Sequence, residues 1–252
     1  MQLNGKVRSV LDKDYFLDTV GAHKSKTLRW INYRTFNEKG MLTTSQQYND
    51  KNDTISRCDY FYDTLGKLQK TIVYAGGSLM YQMMYRYDNS GNKIAASRYT
   101  DKDSLACSDS FFYNTKNLCI ACSRHCDMQP VGSILDRDVD SFYYNDQQQK
   151  IRLNHISRDG FVQVTKYTYD KQGNCIEEIV DTTRAYEEKK TIHKYDEKGR
   201  LTEEASWDAN GTLTSKKTIE YLQPDKQGNA TTIKTNWHDL GPSLTERTIT
   251  YY

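Results

Sequence analysis

The chain has 252 residues, with 35 basic and 33 acidic side chains and a formal net charge of +2, and a mean hydropathy of −0.85. The charges are mixed along the chain, which leaves no case for a nucleic-acid patch or for a surface built to take acidic substrates. No stretch approaches the roughly 20 apolar residues of a membrane helix, so no membrane-spanning segment of that kind is expected. Twenty tyrosines against seven phenylalanines and three prolines predict wide, half-solvated sheets, because Tyr is a strand former with an apolar body and a wet tip.

Taken in order, the chain repeats one pattern. A half-copy starts at Gly5. Phe36-Asn37-Glu38-Lys39-Gly40 is the first turn, followed by Tyr60-Phe61-Tyr62-Asp63-Thr64-Leu65-Gly66 and Tyr85-Arg86-Tyr87-Asp88-Asn89-Ser90-Gly91. Weaker copies follow at Phe111-Phe112-Tyr113-Asn114 with Asn117, and at Phe142-Tyr143-Tyr144-Asn145 with Gln148. Tyr167-Thr168-Tyr169-Asp170 with Gly173 and His193-Lys194-Tyr195-Asp196 with Gly199 restore the rule, and a degenerate last copy ends at Pro224-Asp225 with Gly228. Most neighbours are about 25 or 26 residues apart, and the spacing widens from Asn117 to Gln148 and from Gly199 to Gly228.

Each copy reads as two antiparallel strands. The first ends in aromatic-x-aromatic, which alternation places on one face. Asp or Asn then opens a tight turn, and Gly, or Asn at 117, supplies the positive φ that closes it. The second strand carries an apolar residue two places after the Gly (Leu42, Leu68, Cys119, Cys175, Leu201) and a ring eight places after it (Tyr48, Tyr74, Tyr99, His125, Trp207). Counting by two puts both on one face. By the same count Lys70, Glu177 and Glu203 fall in the middle of the aromatic-bearing face, and Gln69, Arg98, Glu178 and Glu204 on the other. Charges on both faces speak against an outer-membrane barrel, whose lipid face must stay apolar.

Eight copies predict about sixteen strands, and an open twisted sheet rarely passes about ten without curling or splitting. The expected fold is therefore all-β: tandem hairpins forming a curled, spiral or barrel-like sheet with the tyrosine face inward. One repeat domain over residues 1–252 is expected, with a seam near 127–140 where Met128-Gln129-Pro130-Val131-Gly132-Ser133 interrupts the pattern.

The tandem string tyrosine-x-tyrosine-aspartate-x-x-glycine-asparagine, clearest at Tyr85–Asn92, Tyr167–Asn174 and His193–Arg200, resembles the YD repeat of Rhs proteins and teneurins. The likeness spans about Phe36 to Gly228. It implies β-sheets that spiral into shells, some of which enclose a toxin domain. The period here is longer than in that family, and no toxin domain follows. The chain is also similar to small secreted or lipid-anchored repeat proteins of gut Bacteroidetes.

The chemistry-bearing residues read mostly as parts of the repeat. Cys119, Cys122, His125 and Cys126 invite a zinc site, but Ile120–His125 overlays Ile94–Tyr99, so Cys122 occupies the slot of Ala96. Counting by two also sends Cys119 and His125 to one face, and Cys122 and Cys126 to the other. A disulfide from Cys119 to a neighbouring strand or to Cys175 stays open. The aspartates are explained by turn chemistry, Gly76-Gly77 is too short to cradle phosphate, and no cofactor is expected. The reading is a non-enzymatic binding or scaffold module of the bacterial cell envelope, with an unknown glycan or protein partner. Tyr60, Tyr62, Tyr85, Tyr87, Tyr167, Tyr169, Tyr195 and Trp207 are its ligand-facing aromatics. A shell segment of Rhs type and a polysaccharide hydrolase are the alternatives. Met1 leads directly into strand-like Lys6–Val10, so the location is cytoplasmic as written, and envelope or secreted if a leader was removed.

Overall fold

The computed structural model describes residues 3–18, 25–126, 136–183 and 188–252. The insertion Met128–Ser133, and with it most of the expected seam, lies outside the described residues. Among the described residues every regular element is a strand: β1 (Val7–Asp18), β2 (Ser25–Phe36), β3 (Leu42–Asn49), β4 (Thr54–Tyr62), β5 (Leu68–Ala75), β6 (Ser78–Tyr87), β7 (Lys93–Thr100), β8 (Leu105–Tyr113), β9 (Cys119–Cys126), β10 (Asp138–Tyr144), β11 (Lys150–Ile156), β12 (Val162–Tyr169), β13 (Cys175–Thr182), β14 (Lys189–Tyr195), β15 (Leu201–Asp208), β16 (Leu213–Pro224), β17 (Ala230–Trp237) and β18 (Gly241–Tyr251). The eighteen strands form one sheet in chain order, and β1 pairs with both β2 and β18, which is the connectivity of a barrel-like sheet.

Two compact units divide the chain. The first holds Met1–Gln82 and Lys216–Tyr252, the second Met83–Ser215. In the first, an antiparallel ladder runs from β16 through β17, β18, β1, β2, β3 and β4 to β5. In the second it runs from β7 through β15 without a break.

The turn is the same device in copy after copy. Asp63 accepts a backbone hydrogen bond from Gly66 (3.0 Å) and donates its own N–H to Lys67 (2.9 Å). Its Oδ1 accepts the N–H groups of Leu65 (3.0 Å) and Lys67 (2.8 Å). Gly66 sits at φ 82°, a conformation that L side chains reach only at a cost. Asn117 and Gln148 hold the same place at φ 58° and 62°. Asn37, Asn114, Asp170, Asp196 and Asp225 cap their turns as Asp63 does.

A β-bulge follows six of the turns and corrects the facing expected by counting. Tyr62 lies opposite Leu68, yet Phe61 lies opposite Lys70, so Gln69 is an extra residue on β5. Parity reverses there. Leu68 shares the tyrosine face with Tyr62 and Tyr60, whereas Lys70 and Tyr74 lie on the opposite face. Equivalent bulges occur beside Phe36, Tyr113, Tyr144, Tyr169 and Tyr195. Hence Glu177 and Glu203 join Thr168 and Lys194 on the opposite face, while Glu178 and Glu204 join Tyr167 and His193.

The expected count of eight hairpins is also corrected. The eight turn-bearing hairpins leave β1 and β18, which form a ninth. Val7 lies opposite Tyr251 and Ser9 opposite Thr250, the register of Leu68–Tyr62 and Lys70–Phe61. Gly5 stands at φ 85°, and the N–H of Tyr252 donates to the carbonyl of Lys6 at 3.0 Å, as Asp63 donates to Lys67. Gly5 and Tyr251 thus supply the two halves of one module from opposite ends of the sequence.

No covalent turn joins these halves, and side chains do so instead. Buried Asn229 accepts from the N–H of Asn4 (2.8 Å) and donates to its carbonyl (3.0 Å) and to the Tyr251 hydroxyl (2.8 Å). Deeper in the seam, Asp12 receives Arg247 through two hydrogen bonds (2.6 and 3.0 Å) and Arg34 through a third (2.6 Å). Among the described residues, seven buried side chains are polar and six apolar: Asp12, Asp59, Thr71, Asp109, Thr165, Thr191 and Asn229 beside Val7, Val10, Ala96, Val180, Ala205 and Ala230.

Two outcomes are expected. The side chains of Asp12 and Arg247 are 8% and 10% exposed, so Asp12→Ala strands a buried guanidinium and should cost about 3–5 kcal/mol in urea unfolding. Lys166→Ala, which removes a pair exposed by 58% and 48%, should cost under about 1 kcal/mol. Equal losses would mean that the seam does not depend on Asp12. The second outcome concerns acid. The Lys67 N–H holds the Asp63 carboxyl below its usual range, and the side-chain amides of Asn92 and Asn174 do the same for Asp88 and Asp170. A depressed folded value stabilises above the unfolded pKa of about 3.9 and loses that contribution as pH falls through the folded value. The urea midpoint should therefore drop below about pH 4, and the triple variant Asp63→Asn, Asp88→Asn, Asp170→Asn should show a shallower drop. An unchanged acid limb would contradict the capping role.

Candidate functional site

The expected aromatics divide into two kinds. The residue just before each turn, Tyr62, Tyr169 or Tyr195, turns its hydroxyl onto the neighbouring hairpin and donates to the carbonyl of Leu42 (2.8 Å), Lys150 (2.7 Å) or Cys175 (2.8 Å). Tyr113 and Tyr144 do the same to Lys93 (2.9 Å) and Cys119 (2.7 Å). Burial pushes all five phenols above the ordinary tyrosine value. Their polar ends are thus engaged in joining one hairpin to the next. Tyr87 occupies the equivalent place at the end of β6.

The second kind stands two residues earlier. In the second unit, the Lys93 ammonium lies 5.8 Å from the Tyr85 ring centre and 4.3 Å from that of Phe111. Lys150 lies 5.8 Å from Phe142 and 4.6 Å from Tyr167. A cation over an aromatic face is attracted by the ring quadrupole, so these lysines brace the rings of adjacent hairpins. Farther from the turns, the tyrosine face becomes polar: Arg124 pairs with Asp109 at 2.7 Å, and His155 Nδ1 lies in hydrogen-bond contact with Asp140 at 2.7 Å. Trp207 is not among this group. It lies opposite Lys190 on the other face from Tyr195. Lys190–Glu177 (2.7 Å), Lys194–Glu203 (2.8 Å) and Lys166–Asp181 (2.9 Å) cross that face as ion pairs.

In the first unit, Tyr60 and Tyr62 border an open groove of about 560 Å³. Phe61 and Asp63 line it from the same strand end, and Asn37, Glu38, Lys39, Met41 and Thr43 from the neighbouring hairpin. Phe61, at 47% exposure, is the most accessible of these rings. It was missed because counting favoured the two flanking tyrosines, whose positions recur in the repeat.

The cysteines resolve differently from the expectation. Cys107 and Cys126 face each other across β8 and β9 and form a disulfide, whereas Cys119 and Cys175 are free thiols. Cys119 lies opposite Tyr113, where no cysteine is available to it. The bulge at Ile120 also returns Cys122 and Cys126 to the face of Cys119 and sends His125 away. Burial pushes the Cys122 thiol up to about 11, so it stays protonated and unreactive at neutral pH. Among the described residues, no three His, Cys, Asp or Glu side chains gather as metal ligands.

No protein-family model matches the chain, and no curated protein does. Among solved structures, it is similar to a porin-like protein from Bacteroides uniformis (11% identity, TM-score 0.49, 98% of each chain covered). A porin-like protein from Bacteroides vulgatus gives 13% identity and a TM-score of 0.48 over 98% of each chain. The Photorhabdus luminescens Tc holotoxin pore gives 8% identity and a TM-score of 0.35, covering 90% of this chain and 17% of that one.

Thiol titration checks the cysteine assignment. Unfolded without reductant, the chain should expose the four thiols of Cys58, Cys119, Cys122 and Cys175, and all six cysteines after reduction. Six reactive thiols before reduction, in protein matured under oxidising conditions, would contradict the Cys107–Cys126 link.

Proposed function

We propose that this is a hairpin-repeat protein of YD type that acts without chemistry, as a binding module of the bacterial cell envelope presenting an aromatic sheet surface to a glycan. The groove beside Tyr60, Phe61 and Tyr62 is the observation that carries the reading. It joins an exposed flat ring to amide, carboxylate and ammonium groups from Asn37, Glu38 and Lys39. Sugar rings offer the complementary surface, an apolar C–H face rimmed by hydroxyls, and specificity in such sites comes from a few placed polar groups. The Cys107–Cys126 disulfide supports an oxidising compartment.

A second observation favours binding over hydrolysis. The repeated aspartates accept two backbone N–H groups each in their turns, as Asp63 and Asp170 do. Carboxylates held low by such bonds are poor general acids.

A glycan panel followed by calorimetry tests the proposal. A neutral oligosaccharide should bind, and Phe61→Ala should weaken it about tenfold, roughly 1.4 kcal/mol, with an unchanged circular dichroism spectrum. An empty panel would rule out a glycan partner. Binding indifferent to Phe61 would rule out the groove.

A further inference from the structure

Within the second unit, the face opposite the tyrosines changes character from strand to strand. Across β12 to β15 it carries the ion pairs Lys166–Asp181, Lys190–Glu177 and Lys194–Glu203. Across β7 to β10 it is built largely from serine and alanine. Ser97 lies opposite Ser108, and Ala95 opposite Ser110, which lies in turn opposite Ser123. Phe112 lies opposite Ala121, and Ala121 opposite Ser141. Among the described residues, this face of the four strands holds no lysine, arginine or carboxylate.

The serine hydroxyls are left over by the fold. Among the described residues, none of Ser97, Ser108, Ser110, Ser123 and Ser141 spends its side chain on a hydrogen bond, although each hydroxyl can donate one and accept two. Two rings stand over the same patch. Phe112 is 53% exposed and Tyr143 is 46% exposed. Both hold the position of Phe61 in their own copies, between the two rings that face the other way. Strand β9 runs between them, so two strand spacings, about 9–10 Å, separate their backbones. The small Ala121 side chain leaves the space between the rings open, and the Arg152 guanidinium, 5.2 Å from the Tyr143 ring centre, braces that ring.

This composition selects a partner. Protein interfaces are depleted in serine and alanine, and a face without charge offers nothing to an ionic ligand. A neutral sugar chain offers hydroxyls to the serines and C–H faces to the rings. We infer that this face is a second glycan surface, taking an uncharged chain laid across β8, β9 and β10 between Phe112 and Tyr143. The inference rests on the glycan-binding reading, but its residues belong to the other unit from the Phe61 groove, so the two surfaces can be tested apart.

The test is calorimetry on the full-length protein with cellohexaose, laminarihexaose and maltohexaose. The Phe61→Ala chain should still bind at least one of them. Phe112→Ala with Tyr143→Ala should weaken that remaining binding about tenfold, and Ser110→Ala and Ser123→Ala about threefold each. The affinity should hold between about 0.1 and 1 M salt, because no charge takes part. Each serine variant removes one unengaged oxygen, so it should melt as the parent does, which separates a lost contact from damage. If Phe61→Ala abolishes all binding, the second surface is overturned and the groove stands. If the remaining binding ignores both rings and both serines, the second surface is overturned as well. Binding that depends on the serines and not on Phe61 would support this face and remove the groove, and three hexasaccharides without affinity would remove both. Self-association in sedimentation that Phe112→Ala abolishes would assign the face to a second copy of the chain and overturn the inference.

Discussion

The fold depends on how one short side chain satisfies a chain reversal. Asp63, or its counterpart, caps two backbone N–H groups, and the residue three places on enters the left-handed region. A turn closed in this way fixes the register of both strands. The bulge that follows sets which side chains face which way. The tyrosine before the turn then reaches the carbonyl at the start of the preceding hairpin's second strand, as Tyr62 reaches Leu42. Local turn chemistry and hairpin-to-hairpin attachment are therefore parts of one unit, which explains why Tyr and Asp recur together.

This way of joining hairpins reduces the need for an apolar core. Within each unit, buried side chains are small or polar, such as Thr165 and Val180 in the second and Val10 and Asp12 in the first. Lysines stacked between rings, as Lys93 is between Tyr85 and Phe111, cover apolar surface while keeping a charge near water. The seam between β1 and β18 shows the same economy. It has no covalent turn, and Asn229 and the Arg247–Asp12–Arg34 cluster stand in for one. A buried pair such as this is valuable chiefly because breaking it is costly, which gives the first and last strands a single permitted alignment.

Much of this was legible in the residues. The repeat, the all-β class, the Asp or Asn cap and the positive φ at Asn117 all follow from short-range rules that a string of letters preserves. Three features were not legible. The bulge leaves no residue signature, since Gln69, Ile120 and Thr202 have nothing in common, and counting by two through it inverts the faces. Only the Gly5 half of the ninth hairpin was visible, because its partner Tyr251 lies at the opposite end of the sequence. The Cys107–Cys126 link depends on cross-strand register, whereas the sequence drew attention to the closer cluster at Cys119–Cys126.

The same logic locates function where the repeat leaves surface over. The tyrosines just before the turns are the most regular feature of the sequence, and their hydroxyls are occupied in holding hairpins together, so regularity marks scaffold. The residue between them varies freely: Phe61, Arg86, Phe112, Tyr143, Thr168 and Lys194. It points to the other face and makes no obligatory contact in the repeat. Variation there costs the fold little, so it is the place where one copy can differ usefully from the next. Phe61 beside Glu38 and Lys39 is such a difference. It stands where the second full hairpin meets the turn of the first, close to the seam.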